Sequence, residues 1–178
     1  MMEGATKDRQ SITADWVPLR ELIDGVRVRE IKNVPKSNGV LTEIFRSDWG
    51  LDSGIVQQVF QTTIAPAGLS AWHVHQFTTD RLFVSLGLLK IVLFDARESS
   101  PSRGCVNELK FGTERPALVV VPPGVWHGVQ NIGAAPGLIL NLVDRAYCYE
   151  DPDHWRLPPD TSKIPYSFVT GRLADGLR

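Results

Sequence analysis

AWHVHQFTTDRLFVSLG, residues 71–87, sets two histidines two positions apart, a carboxylate five residues after the second, and an alternating apolar run closed by glycine. In an extended strand successive side chains leave opposite faces, so His73 and His75 share one side. Where that side is the interior of a barrel, both imidazoles look into its cavity. A second stretch, VPPGVWHGVQN at 121–131, carries a tight Pro-Pro-Gly turn three residues before His127 and places Asn131 four residues after it. The turn delivers His127 at the start of another strand.

The residues around these two stretches have the texture of strands. VRVREI, GVLTEIF, GIVQQVFQTTI, LFVSLGLLKIVLFDA, VNELKF, ALVVVPP and GLILNLV are rich in β-branched and aromatic residues and are separated by Gly, Pro, Asn, Asp and Ser clusters. Many short strands without a helical period between them predict a mostly-β jelly-roll barrel rather than a parallel α/β sheet. Asp15 to Ile23 reads as a short helix with Asp15 as N-cap, Pro18 in its first turn and Gly25 as stop signal, and a second short helical segment is expected at the C-terminal end. Residues 1–14 are polar and read as a flexible arm. Residues 15–178 then form one domain, whose proline-rich tail wraps over the barrel from about residue 154.

A chain of 178 residues is the size of one domain. Nineteen Lys and Arg against 20 Asp and Glu leave a net charge of −1, so nothing recommends nucleic acid or an anionic membrane as partner. The N-terminal stretch lacks the apolar core of a signal peptide, and no run approaches the length that spans a bilayer. A soluble, cytoplasmic protein is expected. Cys105 and Cys148 stand in no CxxC arrangement and read as reduced thiols. Of the four histidines, three occupy the two stretches above, which favours function for the set, while His154 in DPDHW reads as a surface or packing residue. Asp80 has two readings, a ligand or a solvated turn carboxylate.

The two stretches resemble the paired motifs of the cupin superfamily, a small double-stranded β-helix. Gly68, His73, His75, Asp80 and Gly87 match the first motif, with one residue fewer before the histidines and Asp in place of Glu. Pro122, Gly124, His127 and Asn131 match the second. Cupins of this pattern can hold one divalent metal, and the donors His73, His75, Asp80 and His127 suit Fe, Mn, Ni or Zn.

Longer blocks are similar to the dTDP-4-dehydrorhamnose 3,5-epimerase family, a cupin branch. RLFVSLGLLKIVLFDARESSPSRG, VNELKFGTERPALVVVPPGVWHGV, GVLTEIF and YEDPDHW with IPYSF follow in order from about Val26 to about Phe168. The resemblance implies a homodimer that epimerises a nucleotide-linked 4-keto-6-deoxy sugar beside its ketone, with no metal or cofactor. Such a site needs a base, an acid and a group that stabilises the enolate oxygen. By position, the resemblance makes His73 the base and Arg81 the oxyanion partner. Tyr147 or Tyr149 becomes the acid, and Glu43, Gln61, His127 and Asn141 bind substrate.

The departures are specific. Ser70 and Ala71 replace an Arg-Gly pair, Asn38 stands where an arginine binds phosphate, and Asn141 occupies the strand position of a tyrosine. The tail lacks the aspartate that partners the family's catalytic histidine, Asp175 being its nearest substitute. His75 is an addition that completes a metal-type HxH. Three functions are therefore carried forward: a sugar-nucleotide epimerase, a metal-dependent cupin oxygenase or isomerase, and a non-catalytic sugar-binding cupin.

Overall fold

The computed structural model describes residues 4–19 and 21–169, and the backbone of 172–173. Its strands in chain order are β1 (Arg27–Glu30), β2 (Val34–Lys36), β3 (Gly39–Leu41), β4 (Gln58–Ile64), β5 (Leu69–Val74), β6 (Asp80–Leu86) and β7 (Leu88–Asp95). They continue as β8 (Val106–Gly112), β9 (Ala117–Val121), β10 (Val125–Asn131), β11 (Gly137–Val143), β12 (Trp155–Arg156), β13 (Tyr166–Ser167) and β14 (Arg172–Leu173).

Two antiparallel five-stranded sheets carry the fold, ordered β1-β9-β6-β11-β4 and β12-β5-β10-β7-β8. The long apolar strands β6, β7 and β9 sit inside the sheets, where both of their faces are covered, which is why they read as nearly continuous apolar runs. Leu82, Val84, Ile91, Leu93, Leu109, Phe111, Val119 and Ile139 interdigitate between the sheets. Each such buried side chain contributes about 1.5–3 kcal/mol. Leu82, Ile64, Val129 and Ile139 belong both to this core and to the floor of the cavity above it.

The expected helices are not found among the described residues, whose only helical turn is a 3-10 turn at Ser47–Trp49. At 15–23 the chain instead doubles back, with an isolated bridge from Ile12 to Pro18, and the Ile23 amide is taken by the Asn107 side chain at 2.9 Å. The Leu19 amide, the first that a helix capped by Asp15 would engage, instead donates to the Ser11 carbonyl at 2.8 Å, so these non-helical bonds take the donors that winding would need. At the other end the described tail is strand and turn, and its last residues, Asp175 included, lie outside the described set. No helix among the described residues is long and apolar enough to cross a membrane.

The tail positions the site. Trp72 and Leu157 exchange backbone hydrogen bonds at 3.0 and 3.2 Å, and β12 pairs with β5 so that Arg156 lies opposite His73. Further on, Ile164, Tyr166 and Phe168 pack against Trp72 on the outer face of the second sheet. Gly128 permits this approach, since a Cβ there would come within 2.5 Å of Ala71 and 2.8 Å of Phe168. The tail is thus bonded at 155–157 and packed at 164–168 against β5, which carries His73 and ends one residue before His75.

Candidate active site

Between the sheets a cavity of about 1070 Å³ opens to solvent, and all four histidines of the chain line it. β5 and β10 are paired with His73 directly opposite His127, so one rung of the sheet supplies two imidazoles. Their rings stack at 5.8 Å, with His75 5.5 Å from His127. The Gly124 amide donates to the His75 carbonyl at 2.7 Å, so the Pro-Pro-Gly turn is tied to the HxH strand.

His154 is the main departure from the expected site. Far from packing on the surface, it places Nε2 2.7 Å from Nδ1 of His73, whose Nε2 is 3.0 Å from the Ser70 hydroxyl. Burial is the largest influence holding His73 neutral, with the nearby His127, Arg156, His154 and His75 adding to it, and its pKa falls to about 3. His154 falls to about 4 for the same leading reason. His127 is lowered by burial against the opposing pull of Asp80. Asp153 places His154 by capping the 76–78 loop. Its carboxylate accepts from the amides of Gln76, Phe77 and Thr78 and from the Thr78 hydroxyl at 2.7–2.9 Å. These donors outweigh the cost of burial and hold the Asp153 pKa below its usual value.

Two histidines kept neutral by the fold make stability depend on pH. An unfolded imidazole takes up a proton near pH 6.5, whereas His73 and His154 do so only near 3 and 4. The unfolded state therefore binds more protons as pH falls from 6.5 towards 4, and stability declines through that window. Protein treated with chelator is expected to melt several degrees lower at pH 5 than at pH 7. Equal melting temperatures in the wild type, or the same drop in a His73→Asn, His154→Asn double variant, would contradict this assignment.

The other expected residues separate into two groups. His127 and Asn141 line the cavity, and Asn141 donates to Asp80 Oδ1 at 2.6 Å while its own carbonyl accepts the Arg81 amide. Tyr147 lines the mouth. Four do not reach the cavity. Arg81 is fully buried on the other face of β6, because alternation turns Asp80 and Leu82 inward. Its Nε bonds Asp52 at 2.7 Å and its Nη1 the Leu142 carbonyl at 3.2 Å. Gln61 is likewise on the wrong face of β4, whose inward residues are Gln58, Phe60, Thr62 and Ile64. Glu43 is exposed and pairs with Arg46 at 3.6 Å. Tyr149 is 81% exposed and packs edge-on to Tyr147 outside the cavity wall.

Metal-type donors are also divided. His75, Asp80 and His127 bring one ligand atom each within 4.8 Å of the others, while His73, expected as a fourth ligand, is turned to Ser70 and His154. Arg145 and Arg156 also line the cavity. No motif marked them or His154, and Arg156 and His154 come beside His73 only when the tail pairs with β5.

No family model matches the chain. Curated proteins do. The chain is 32% identical over 139 residues to a probable low-salt glycan biosynthesis epimerase, Agl13 of Haloferax volcanii, covering 78% of this chain and 89% of that protein. It is 30% identical over 149 residues to the spore coat polysaccharide biosynthesis protein SpsL of Bacillus subtilis, covering 84% and 98%. Among solved structures, a dTDP sugar isomerase from Desulfovibrio desulfuricans superposes with a TM-score of 0.78 at 26% identity, covering 86% of this chain and 97% of that one. Similarity of this extent, joined to a jelly roll with a histidine-lined cavity, places the chain in the dTDP-4-dehydrorhamnose 3,5-epimerase family of cupin-fold sugar epimerases.

Proposed function

We propose that this protein epimerises a 4-keto-6-deoxy sugar carried on a nucleotide, by removing and returning a proton at a carbon next to the ketone. The observation that carries the reading is the neutral His73 imidazole in the cavity wall, held at Nδ1 by His154 and at Nε2 by Ser70. When Nδ1–H of His73 donates to His154, Nε2 is left as the basic nitrogen facing the cavity, and a substrate C–H displaces the Ser70 hydroxyl from it. His154 then does for His73 what the family's aspartate does elsewhere: it fixes tautomer and ring orientation, but adds no negative charge.

Arg145 and Arg156 are the guanidinium groups in the cavity wall and are assigned to the diphosphate, in place of the arginines lacking at positions 38 and 70. Tyr147 at the mouth is assigned to proton return. Substrate and product have the same oxidation state, so the reaction calls for no redox cofactor. The active form is taken to be a soluble, cytoplasmic homodimer. Its support is exposed apolar surface on β2, β3 and the outer face of the edge strand β4, namely Val34, Val40, Leu41 and Val59.

Incubating the protein with dTDP-4-keto-6-deoxyglucose in D2O tests the reaction. Deuterium at C3, C5 or both is expected by NMR. Absence of exchange with this compound and with related 4-keto sugar nucleotides would overturn the proposal.

A further inference from the structure

From the bonds made by two neighbouring tail residues, we infer that Asp153 is the positioning residue for both histidines of the HxH pair. Its carboxylate locks the tail to the 76–78 loop, and the locked backbone orients the two rings. Consecutive residues meet the two Nδ1 atoms. Nδ1 of His75 bonds the Asp153 carbonyl, and Nδ1 of His73 lies 2.7 Å from Nε2 of His154. A carbonyl only accepts, so a neutral His75 carries its proton on Nδ1 and leaves Nε2 bare.

Strand pairing alone does not hold these contacts. β12 begins at Trp155, opposite Val74, so residues 153 and 154 lie past its end, just as His75 and the 76–78 loop lie past the end of β5. The Asp153 side chain joins these two loose ends. Oδ1 accepts the Gln76 amide at 2.7 Å, and Oδ2 accepts the Phe77 and Thr78 amides at 2.9 Å and the Thr78 hydroxyl at 2.8 Å. Successive amides closing on one anion form a concave nest, and their bonds are of the strong, charge-assisted kind. The His154 amide donates to the Pro152 carbonyl at 2.8 Å, a three-residue turn centred on Asp153, so its carboxylate, its carbonyl and the His154 ring move together.

A carboxylate offers about four lone-pair sites, and these donors fill them, so Asp153 lines the cavity with nothing left for substrate. It acts through the histidines. The consequence for catalysis rests on the proposed epimerase reading, in which the base must meet a C–H bond in one orientation.

Full-length Asp153→Ala and Thr78→Val, the second removing only the hydroxyl donor at nearly constant shape, carry the test with two readouts. Nitrogen NMR of histidine-labelled protein reports the rings whether or not a substrate turns over. His75 of the wild type should show the Nδ1–H form, and Asp153→Ala should show mixed tautomers at His75 and a displaced His73 signal. With dTDP-4-keto-6-deoxyglucose in D2O, Asp153→Ala should lower kcat by up to about 10²-fold, the cost of a shift of about 1 Å at the reacting groups, with KM nearly unchanged. Thr78→Val should move both readouts the same way by less, and it decides the matter where Asp153→Ala fails to fold. A folded variant that melts lower but keeps the wild-type histidine signals and kcat overturns the inference and reduces Asp153 to a structural cap. Displaced signals in a protein whose wild type exchanges no deuterium refute the epimerase reading and leave the positioning of the two rings standing.

Discussion

His73→Asn is expected to lower the rate of deuterium incorporation into a 4-keto sugar nucleotide by about 10²–10⁴-fold, the span over which a positioned general base acts. Asparagine preserves a polar side chain between Ser70 and His154 but cannot take a proton, so binding should change far less than turnover. The partner is expected to behave differently. His154→Ala leaves His73 chemically intact and removes only the group that holds Nδ1 at 2.7 Å, so the loss should be smaller and fall on kcat. His154→Asp should instead raise the His73 pKa, because a carboxylate stabilises the imidazolium that a neutral ring cannot. That shift would appear as an acid limb of kcat/KM displaced to higher pH. Wild-type exchange in His73→Asn would remove His73 from the chemistry. An unmoved profile in His154→Asp would reduce His154 to packing.

Much of this site was legible before the fold was known, and the boundary has physical causes. Period-2 alternation is local, so the shared face of His73 and His75 follows from their spacing, and the Pro-Pro-Gly turn announces His127. The same alternation, applied from the inward position of His73, does not carry across the turn at 76–79. There a single residue decides whether Asp80 or Arg81 faces the cavity. Resemblance favoured the cation at 81, and the register of β6 puts the carboxylate at 80 inside. Gln61 failed for the same reason on β4. His154 was illegible for another: it reaches His73 from 81 positions away, through strand pairing of a tail whose prolines suggested no regular structure. Local propensity cannot see such pairing.

Arg81→Ala is expected to destabilise the protein by about 3–5 kcal/mol while each folded molecule keeps its exchange activity within a few-fold. The side chain is fully buried, its Nε holds Asp52 at 2.7 Å, and its guanidinium lies 5.3 Å from the Phe45 ring. Truncation leaves Asp52, itself only 17% exposed, without its cation and opens a void beneath the segment around 45–54. The Arg81 Nη2 nitrogen already lacks a partner among the described residues, so the native arrangement bears a desolvation cost. Arg81→Met combined with Asp52→Leu should therefore recover most of the loss, since apolar side chains of similar volume remove both charges together. Denaturant midpoints report the stability, and deuterium exchange per folded molecule reports the chemistry. A variant at 81 that stays stable but loses exchange a hundredfold would return Arg81 to the enolate, and would require β6 to present its other face to the cavity.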